Sequence, residues 1–229
     1  TNIYGGGKAG QVDGTITLII NDVNLKNNIY GAGDGKTAIV ENIINTQDST
    51  SKIENKIVDM KITNSVIDGT IYGGGNSADV YGSILVNVTD KSNITGTIYG
   101  GCNNANVGKD GENQNIYVYV SNAIIGQETD TSIVGGEVFG GGNLGTVYGN
   151  TTIEIGSENS KIKTVVGKQV YAGGRGKNNT TVIGNSTGKI IGTNTEIAQY
   201  GSSDLGTVDG IVDIYFENYA KTSGNNKYK

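Results

Sequence analysis

Residues 71–88 read Ile-Tyr-Gly-Gly-Gly-Asn-Ser-Ala-Asp-Val-Tyr-Gly-Ser-Ile-Leu-Val-Asn-Val, and this stretch contains both parts of the pattern that indicates the fold. Its first part is a phrase of one aliphatic residue, one aromatic residue and several small residues. Its second part places an aliphatic residue or a glycine at every second position from Val80 to Val88. Such alternation is typical of a β-strand with one buried face. The stretch therefore predicts a bend rich in glycine that leads into a half-buried strand.

The same two-part pattern recurs along the whole chain. Its aromatic residue appears seven times, at Tyr4, Tyr30, Tyr72, Tyr99, Phe139, Tyr171 and Tyr200. The separations are 26, 42, 27, 40, 32 and 29 residues, and the two longest contain polar stretches at about 45–56 and 108–114 that we interpret as loop insertions. A further run of alternate residues that we predict to point inward leads into each aromatic phrase. Examples are Ile94, Gly96 and Ile98, and Val134, Gly136 and Val138. Each unit thus carries about three short strands and shows no helical period.

Units that repeat at this spacing and alternate with period 2 are best stacked on one another. The sequence therefore predicts an all-β fold, a parallel β-helix (β-solenoid) of about seven coils of three short strands, as a single domain over residues 1–229. The spacings of 26 and 27 residues are too short for the blades of a propeller, which need about 40 to 45 residues. We take the helix as right-handed by analogy with most such helices. Because the chain opens inside a repeat unit, we interpret it as part of a longer protein.

Composition excludes several classes of function. The chain has no histidine and one cysteine, which excludes His-based triads, zinc sites of the His type and internal disulfides. A net charge of −5 and a single arginine, Arg175, argue against nucleic-acid binding. No apolar run reaches the roughly 18 residues of a membrane span. Isoleucine and valine total 49 against 5 leucines and 9 alanines, which favours strands over helices.

Motifs that carry chemistry are weak. Gly5-x-Gly7-x-x-Gly10 matches a dinucleotide fingerprint as a pattern, but it leads into a strand where a true fingerprint opens a helix. The glycine clusters lack the aspartate of calcium-binding repeats, so we expect no metal and no cofactor. The outward carboxylates are Asp13, Asp59, Asp68, Glu154, Asp209 and Asp213. They do not align on adjacent units as the paired carboxylates of a glycosidase would, so we expect solvated surface charge and no catalytic residues.

The aromatic positions are the sharpest candidate for a site. If Ile71 and Ile98 point inward, Tyr72 and Tyr99 point outward, and stacked units would align all seven aromatics in one column. Stacking could simply stabilise the sheet, or an exposed aromatic face could bind a sugar chain or a protein. The candidate ligand-binding residues are Tyr72, Tyr99, Phe139 and Tyr171. The loops near Asp48 and Asp110 are further candidates, because loops on a rigid scaffold often carry recognition.

Two small features are predicted to be structural. The asparagines that follow the glycine clusters, Asn76, Asn103 and Asn143, suit a bend and would form an amide ladder when stacked. Cys102 replaces a glycine of the other units in the inward register, which predicts a small buried apolar residue and not a reactive thiol.

The Ile-Tyr-Gly-Gly-Gly-Asn phrase, followed by Val-x-Gly and alternating aliphatics, resembles the repeats of bacterial cell-surface and adhesin-like parallel β-helix proteins. The resemblance implies a secreted or cell-surface location and a structural or adhesive role as a rigid spacer. Its implied partners are a host or cell-wall glycan or a surface protein. The alternative function is a carbohydrate-active enzyme, a polysaccharide lyase or glycosidase, or a sugar-binding β-helix.

Overall fold

The computed structural model of the chain describes residues 2–41, 56–177 and 180–219, and this part is all-β with no helix. The first strands in chain order are β1 (Ile3–Tyr4), β2 (Val12–Asp13), β3 (Ile16–Asn21), β4 (Asn24–Leu25), β5 (Ile29–Tyr30), β6 (Val40–Glu41), β7 (Lys56–Thr63), β8 (Val66–Ile67), β9 (Ile71–Tyr72), β10 (Val80–Tyr81), β11 (Ser83–Thr89), β12 (Asn93–Ile94) and β13 (Ile98–Tyr99). The remaining strands are β14 (Ile116–Val120), β15 (Ile124–Ile125), β16 (Gln127–Glu128), β17 (Ile133–Val134), β18 (Glu137–Phe139), β19 (Val147–Tyr148), β20 (Thr151–Gly156), β21 (Thr164–Tyr171), β22 (Thr180–Ile183), β23 (Ser186–Ile191), β24 (Thr195–Gly201), β25 (Thr207–Val208) and β26 (Val212–Glu217).

These strands form four parallel ladders whose successive members come from successive repeats. Ladder A joins β1, β5, β9, β13 and β18 to the second halves of β21 and β24. Ladder B joins β2, β6 and β10, through single bridges at Val107, to β19, β22 and β25. Ladder C joins β3, β7, β11, β14, β20, β23 and β26, and ladder D joins β4, β8, β12, β15 and the first halves of β21 and β24. This strand order is consistent with a solenoid.

Most repeats contribute four strand segments, one more than the sequence pattern indicates. The inward set that runs toward the aromatic phrase is split by a bend, so that β12 belongs to ladder D and β13 to ladder A. Gly96 lies at this bend, where a Cβ atom would overlap the carbonyl oxygen of Gly69 in the neighbouring repeat. Only β21 and β24 run through the bend as continuous strands.

One continuous apolar core fills the space between the ladders. It extends from Ile16 to Tyr200 and consists mainly of the inward isoleucines and valines that the alternation predicts. Ile84, Val86 and Val88 of β11 are fully buried, for example. In the last repeat the register of ladder C is kept, but Ile214 and Phe216 are about 40% exposed because β26 is the edge strand.

The corners between ladders are built from residues that accept unusual backbone geometry. Gly14, Gly149 and Gly184, which lead from ladder B into ladder C, have φ values of 148°, 150° and 151°. These values lie in a region that residues with a Cβ atom rarely adopt. At the corner that follows ladder C, left-handed backbone occurs at Asp22 and Asn64, and short polar side chains tolerate that conformation best.

Two surface segments differ from expectation or lie outside the described residues. The predicted inward position of Val134 is wrong, since Val134 is 45% exposed in an antiparallel hairpin of β16 and β17. Gly135 and Gly136, with φ values of 67° and 73°, return the chain from this hairpin to ladder A. Residues 108–114 form a loop with a turn at 110–111. The insertion interpreted at about 45–56 and its Asp48 fall outside the described residues, apart from Lys56 in β7.

Tyr200 does not join the aromatic column, so the prediction that all seven aromatics align is wrong. The pairing of β21 with β24 shifts by one residue between Val166 and Gln169, which places Tyr200 opposite Val170 and Gly201 opposite Tyr171. The Tyr200 ring therefore points into the core and is 3% exposed. Gly188 of β23 makes room for it, because a Cβ atom at Gly188 would overlap the Tyr200 hydroxyl.

This inward shift leaves the Tyr200 hydroxyl buried without a hydrogen-bond partner. An unsatisfied buried polar group costs about 1–3 kcal/mol. We therefore expect Tyr200→Phe to raise the free energy of unfolding by about 1 kcal/mol in urea denaturation. The matched control is Tyr171→Phe, which removes a hydroxyl that donates to Gln169 at 3.0 Å. This change should not raise the free energy of unfolding. A loss of stability in Tyr200→Phe would contradict the assignment of an unsatisfied group.

Candidate functional site

Six aromatic rings stack in one continuous column on the outside of ladder A. Ring centroids lie 4.8 Å apart from Tyr4 to Tyr30 and from Tyr30 to Tyr72, and 5.1, 5.0 and 5.1 Å apart in the steps through Tyr99 and Phe139 to Tyr171. Interplanar angles run from 2° to 21°. The strand pairing imposes this order, since Tyr72, Tyr99 and Phe139 are register partners of one another in ladder A. The four candidate binding residues are thus the last four of the six consecutive rings in one column.

The column is a second buried cluster, separate from the main core. Tyr72, Tyr99 and Tyr171 are 9%, 3% and 8% exposed, and Phe139 is fully buried. Each ring face lies against the next ring, so a ligand that stacks on an aromatic face would find the inner faces occupied. Burial raises the pKa values of the Tyr72 and Tyr99 phenols above their ordinary value, because the charged form would lose its hydration. Whether the column binds a ligand stays a prediction.

The side chain of Arg175 lies across the aromatic column at Phe139, the one phenylalanine among its six rings. Its Nη1 donates a hydrogen bond of 3.3 Å to the hydroxyl of Tyr99, two repeats back along ladder A. Phe139 occupies the repeat between them and has no hydroxyl. The Arg175 Nε also lies 3.8 Å from Asp204 Oδ2 in the following repeat. The single arginine of the chain therefore connects polar groups in three different repeats.

Charged and amide side chains lie beside the same part of the column. Lys168 Nζ donates to Glu137 Oε1 at 2.8 Å, and Gln169 donates to the same carboxylate oxygen. The Tyr171 hydroxyl donates to Gln169 Oε1 at 3.0 Å. This side of the column is thus a row of mutually satisfied polar groups with balanced charge, and it offers donors and acceptors rather than an apolar face.

The predicted amide ladder runs parallel to the aromatic column. Asn143 Nδ2 donates to Asn103 Oδ1 at 2.8 Å, Asn103 Nδ2 to Asn76 Oδ1 at 2.7 Å, and Asn76 Nδ2 to Asp34 Oδ1 at 2.9 Å. Arg175 takes the same position after its own glycine cluster. Sequence reasoning missed Asp34 and Arg175, although both lie four residues after an aromatic of the column, as the three asparagines do.

Cys102 is buried within the core, as predicted. Its Sγ donates weakly to the carbonyl oxygens of Asn106 at 3.4 Å and Ala78 at 3.6 Å. Burial raises the pKa of the Cys102 thiol to about 12. Because only the thiolate reacts, the native thiol should be inert.

We expect 5,5′-dithiobis(2-nitrobenzoate) at pH 8 to leave Cys102 unmodified in the folded protein and to modify one thiol per chain in 6 M guanidinium chloride. The control is a second thiol placed at an exposed site, Ile19→Cys, since Ile19 is 66% exposed. That variant should release one equivalent of thionitrobenzoate while folded. Rapid reaction of the unaltered folded chain would contradict the burial of Cys102.

The carboxylates outside ladder A have different surroundings. Asp59 was expected to be solvated, but it is 6% exposed and lies 2.9 Å from Lys56 Nζ and 3.4 Å from Lys61 Nζ. Glu154 accepts a hydrogen bond from the Tyr117 hydroxyl. Asp13 and Asp213 are exposed. Asp59 is thus paired with two lysines and Glu154 is hydrogen-bonded to a hydroxyl, and neither contact brings two carboxylates together across a cleft.

A shallow groove of about 290 Å³ runs between the amide ladder and ladder B. Its polar lining consists mainly of Lys36, Ser77, Asp79, Asn104 and Asn106, with Leu144 on one side. Asp79 is already engaged, since its Oδ1 accepts the Asn106 backbone N–H at 2.7 Å and its Oδ2 accepts the Tyr81 hydroxyl at 3.2 Å. The groove can accept polar groups, but it presents one carboxylate only.

Within the described residues, His, Cys, Asp and Glu side chains do not assemble in groups of three that would suit a metal ion. The described part of the chain also holds no helix with the length and hydropathy of a membrane span. Comparison of the chain with protein-family models, with curated proteins and with solved structures finds no match.

Proposed function

We propose that the chain is a right-handed parallel β-solenoid of about seven coils that works as a rigid spacer module of a secreted or surface-attached bacterial protein. The four parallel ladders support this proposal, because each repeat pairs with its two neighbours along a single axis. The side chains of the core, the aromatic column and the amide ladder are likewise stacked from one repeat to the next. Stacking at about 4.8 Å per strand would give seven coils a length of about 34 Å.

The observation that carries the proposal is a continuous column of register partners in ladder C, which lies beyond the one register shift between β7 and β11, at Ser83. Six consecutive pairings connect Ile19 of β3 to Tyr215 of β26, by way of Lys61, Asn87, Tyr119, Glu154 and Lys189. No turn or change of direction interrupts this column. An element in which every strand lies directly on the preceding one can bend only by straining several ladders at once, and this stiffness is what a spacer requires.

The test is a distance measurement by double electron–electron resonance between spin labels at Ile19→Cys and Tyr215→Cys. Both positions are exposed, and Cys102 is buried and should not be labelled. Six steps place the two backbone positions about 29 Å apart. We expect one narrow distance distribution near this value, broadened only by the label linkers.

The matched control pairs Ile19→Cys with Lys189→Cys, one step closer in the same column. Its distribution should be centred about 5 Å shorter and be equally narrow. A broad or bimodal distribution in the first pair, or equal distances in the two pairs, would refute the stacked rigid spacer.

An adhesive role would use the polar side of the aromatic column, because the ring faces are covered. Tyr72→Phe with Tyr99→Phe keeps the stack and removes two hydroxyls, one of which accepts from Arg175. If the column binds a glycan, this double variant should lose binding on a glycan array while its thermal midpoint changes little. Binding that persists in the double variant would move the adhesive site elsewhere, and the absence of binding in both would favour the spacer alone.

A further inference from the structure

A second aromatic site lies on the outside of ladder B, away from the aromatic column. Tyr81 of β10 is a half-buried residue whose ring carries the ammonium group of Lys109 at 3.7 Å from its centroid. The same ammonium lies 4.0 Å from Glu41 Oε2. A cation over an aromatic face with a carboxylate beside it is the arrangement by which proteins hold organic ammonium groups.

Negative charge surrounds this ring on several sides. Glu41 is the register partner of Tyr81 in ladder B, and Asp79 accepts a hydrogen bond from the Tyr81 hydroxyl at 3.2 Å. Gln11 donates at 2.6 Å to both Asp13 and Glu41, which holds these two carboxylates together on the neighbouring strands. Burial and the nearby carboxylates of Asp79, Glu41 and Glu112 raise the pKa of Tyr81. The site holds one resident cation against at least three carboxylates.

The resident cation comes from a surface loop and not from the ladders themselves. Lys109 follows Gly108, at the start of the loop over residues 108–114, and its side chain is 49% exposed. In the next repeat the position opposite Tyr81 carries no side chain, because Val107 pairs with Val80 and Gly108 follows it, so the side chains that this repeat places near the ring come from the loop. The Lys109 side chain can therefore leave the ring by a change of rotamer, with the backbone of both repeats in place.

We propose that the face of Tyr81, bordered by Glu41 and Asp79, is a binding site for an organic ammonium group and that Lys109 occupies it as an internal competitor. The ligand class is a primary or quaternary ammonium, as carried by a lysine side chain or a trimethylammonium headgroup. The net charge of −5 favours the approach of such cations. The site thus combines a binding function with an autoinhibitory contact.

The experiment titrates the folded chain and its variants with tetramethylammonium chloride, and separately with N-acetyl-lysine methylamide, at constant ionic strength. Amide chemical shifts of residues 79–82 and 40–41 are followed by nuclear magnetic resonance. Lys109→Met, which retains the stem and removes the competing charge, should bind roughly tenfold more tightly than the unaltered chain. Tighter binding of one probe identifies the source of the ammonium group.

Two controls make the result decisive. Lys163→Met removes a lysine whose ion pair, with Glu196 at 2.7 Å, lies outside this site, and it should leave the affinity unchanged. Lys109→Met combined with Tyr81→Leu removes the aromatic face and should abolish the saturable shifts. Absence of saturation with both probes in Lys109→Met, or binding that survives Tyr81→Leu, would overturn the proposal.

Discussion

Gly149→Ala is expected to cost at least about 4 kcal/mol of unfolding free energy or to prevent folding. Two separate effects add at this position. The backbone φ of 150° is one that a residue with a Cβ atom rarely adopts, and such strain costs about 1–3 kcal/mol. A Cβ atom would also overlap the carbonyl oxygen of Gln114 in the neighbouring repeat. The two repeats would have to separate where Asn150 donates to Asn115 at 3.0 Å.

Alanine substitutions at two other glycines distinguish the cost of backbone strain from the cost of steric overlap. Gly14 has nearly the same φ, 148°, but a Cβ atom there meets nothing within 4 Å, so Gly14→Ala should show the strain alone. Gly10 has neither problem, and Gly10→Ala should change stability by less than about 0.5 kcal/mol. Urea denaturation followed by circular dichroism gives all three values. Equal losses in Gly149→Ala and Gly14→Ala would show that close contact between repeats contributes nothing.

Phe139→Ala should be the most damaging change in the aromatic column, with a loss of about 3–5 kcal/mol. The ring is fully buried between Tyr99 and Tyr171, with centroids at 5.0 and 5.1 Å. Its removal leaves a cavity and breaks two stacked contacts, each of which contributes about 0.5–1.5 kcal/mol. The expected readout is a lower denaturation midpoint, together with loss of the near-ultraviolet circular dichroism of the stacked tyrosines.

The matched control is Phe216→Ala, which removes the other phenylalanine of the chain. Phe216 is 40% exposed on the edge strand β26, and we expect a loss of about 1–2 kcal/mol. If Phe139→Ala does not fold, Phe139→Leu retains most of the volume and reports on stacking alone, with an expected loss of about 1–3 kcal/mol. A cost at Phe139 no larger than at Phe216 would show that the column is dispensable for stability.

The candidate site was visible in sequence because it depends on a strict repeat. Tyr72, Tyr99 and Phe139 align because each follows an inward aliphatic residue and precedes glycine, so parallel pairing places them in register. The asparagine ladder follows from the same offset. Alternation alone also predicted the buried positions of β11. These features need only local pattern and nearest-neighbour stacking.

Features that depend on contacts between different positions of the repeat could not be predicted in this way. A one-residue shift in β24 moves Tyr200 into the core, and it is possible only because Gly188, on another ladder, leaves room. The reach of Arg175 to Tyr99 and the position of Lys109 over Tyr81 join side chains 76 and 28 residues apart. Neither pair belongs to the repeat pattern.

Period-2 alternation and a recurring phrase were enough to predict most strands, most inward faces and the stacking of six of the seven aromatics, because they constrain neighbouring repeats in the same way each time. Three features emerged from the folded chain alone: the column is buried, it ends at Tyr171, and a resident lysine covers a second aromatic face. Burial, register shifts and side-chain reach are set by packing between ladders, and no single stretch of the chain contains that information.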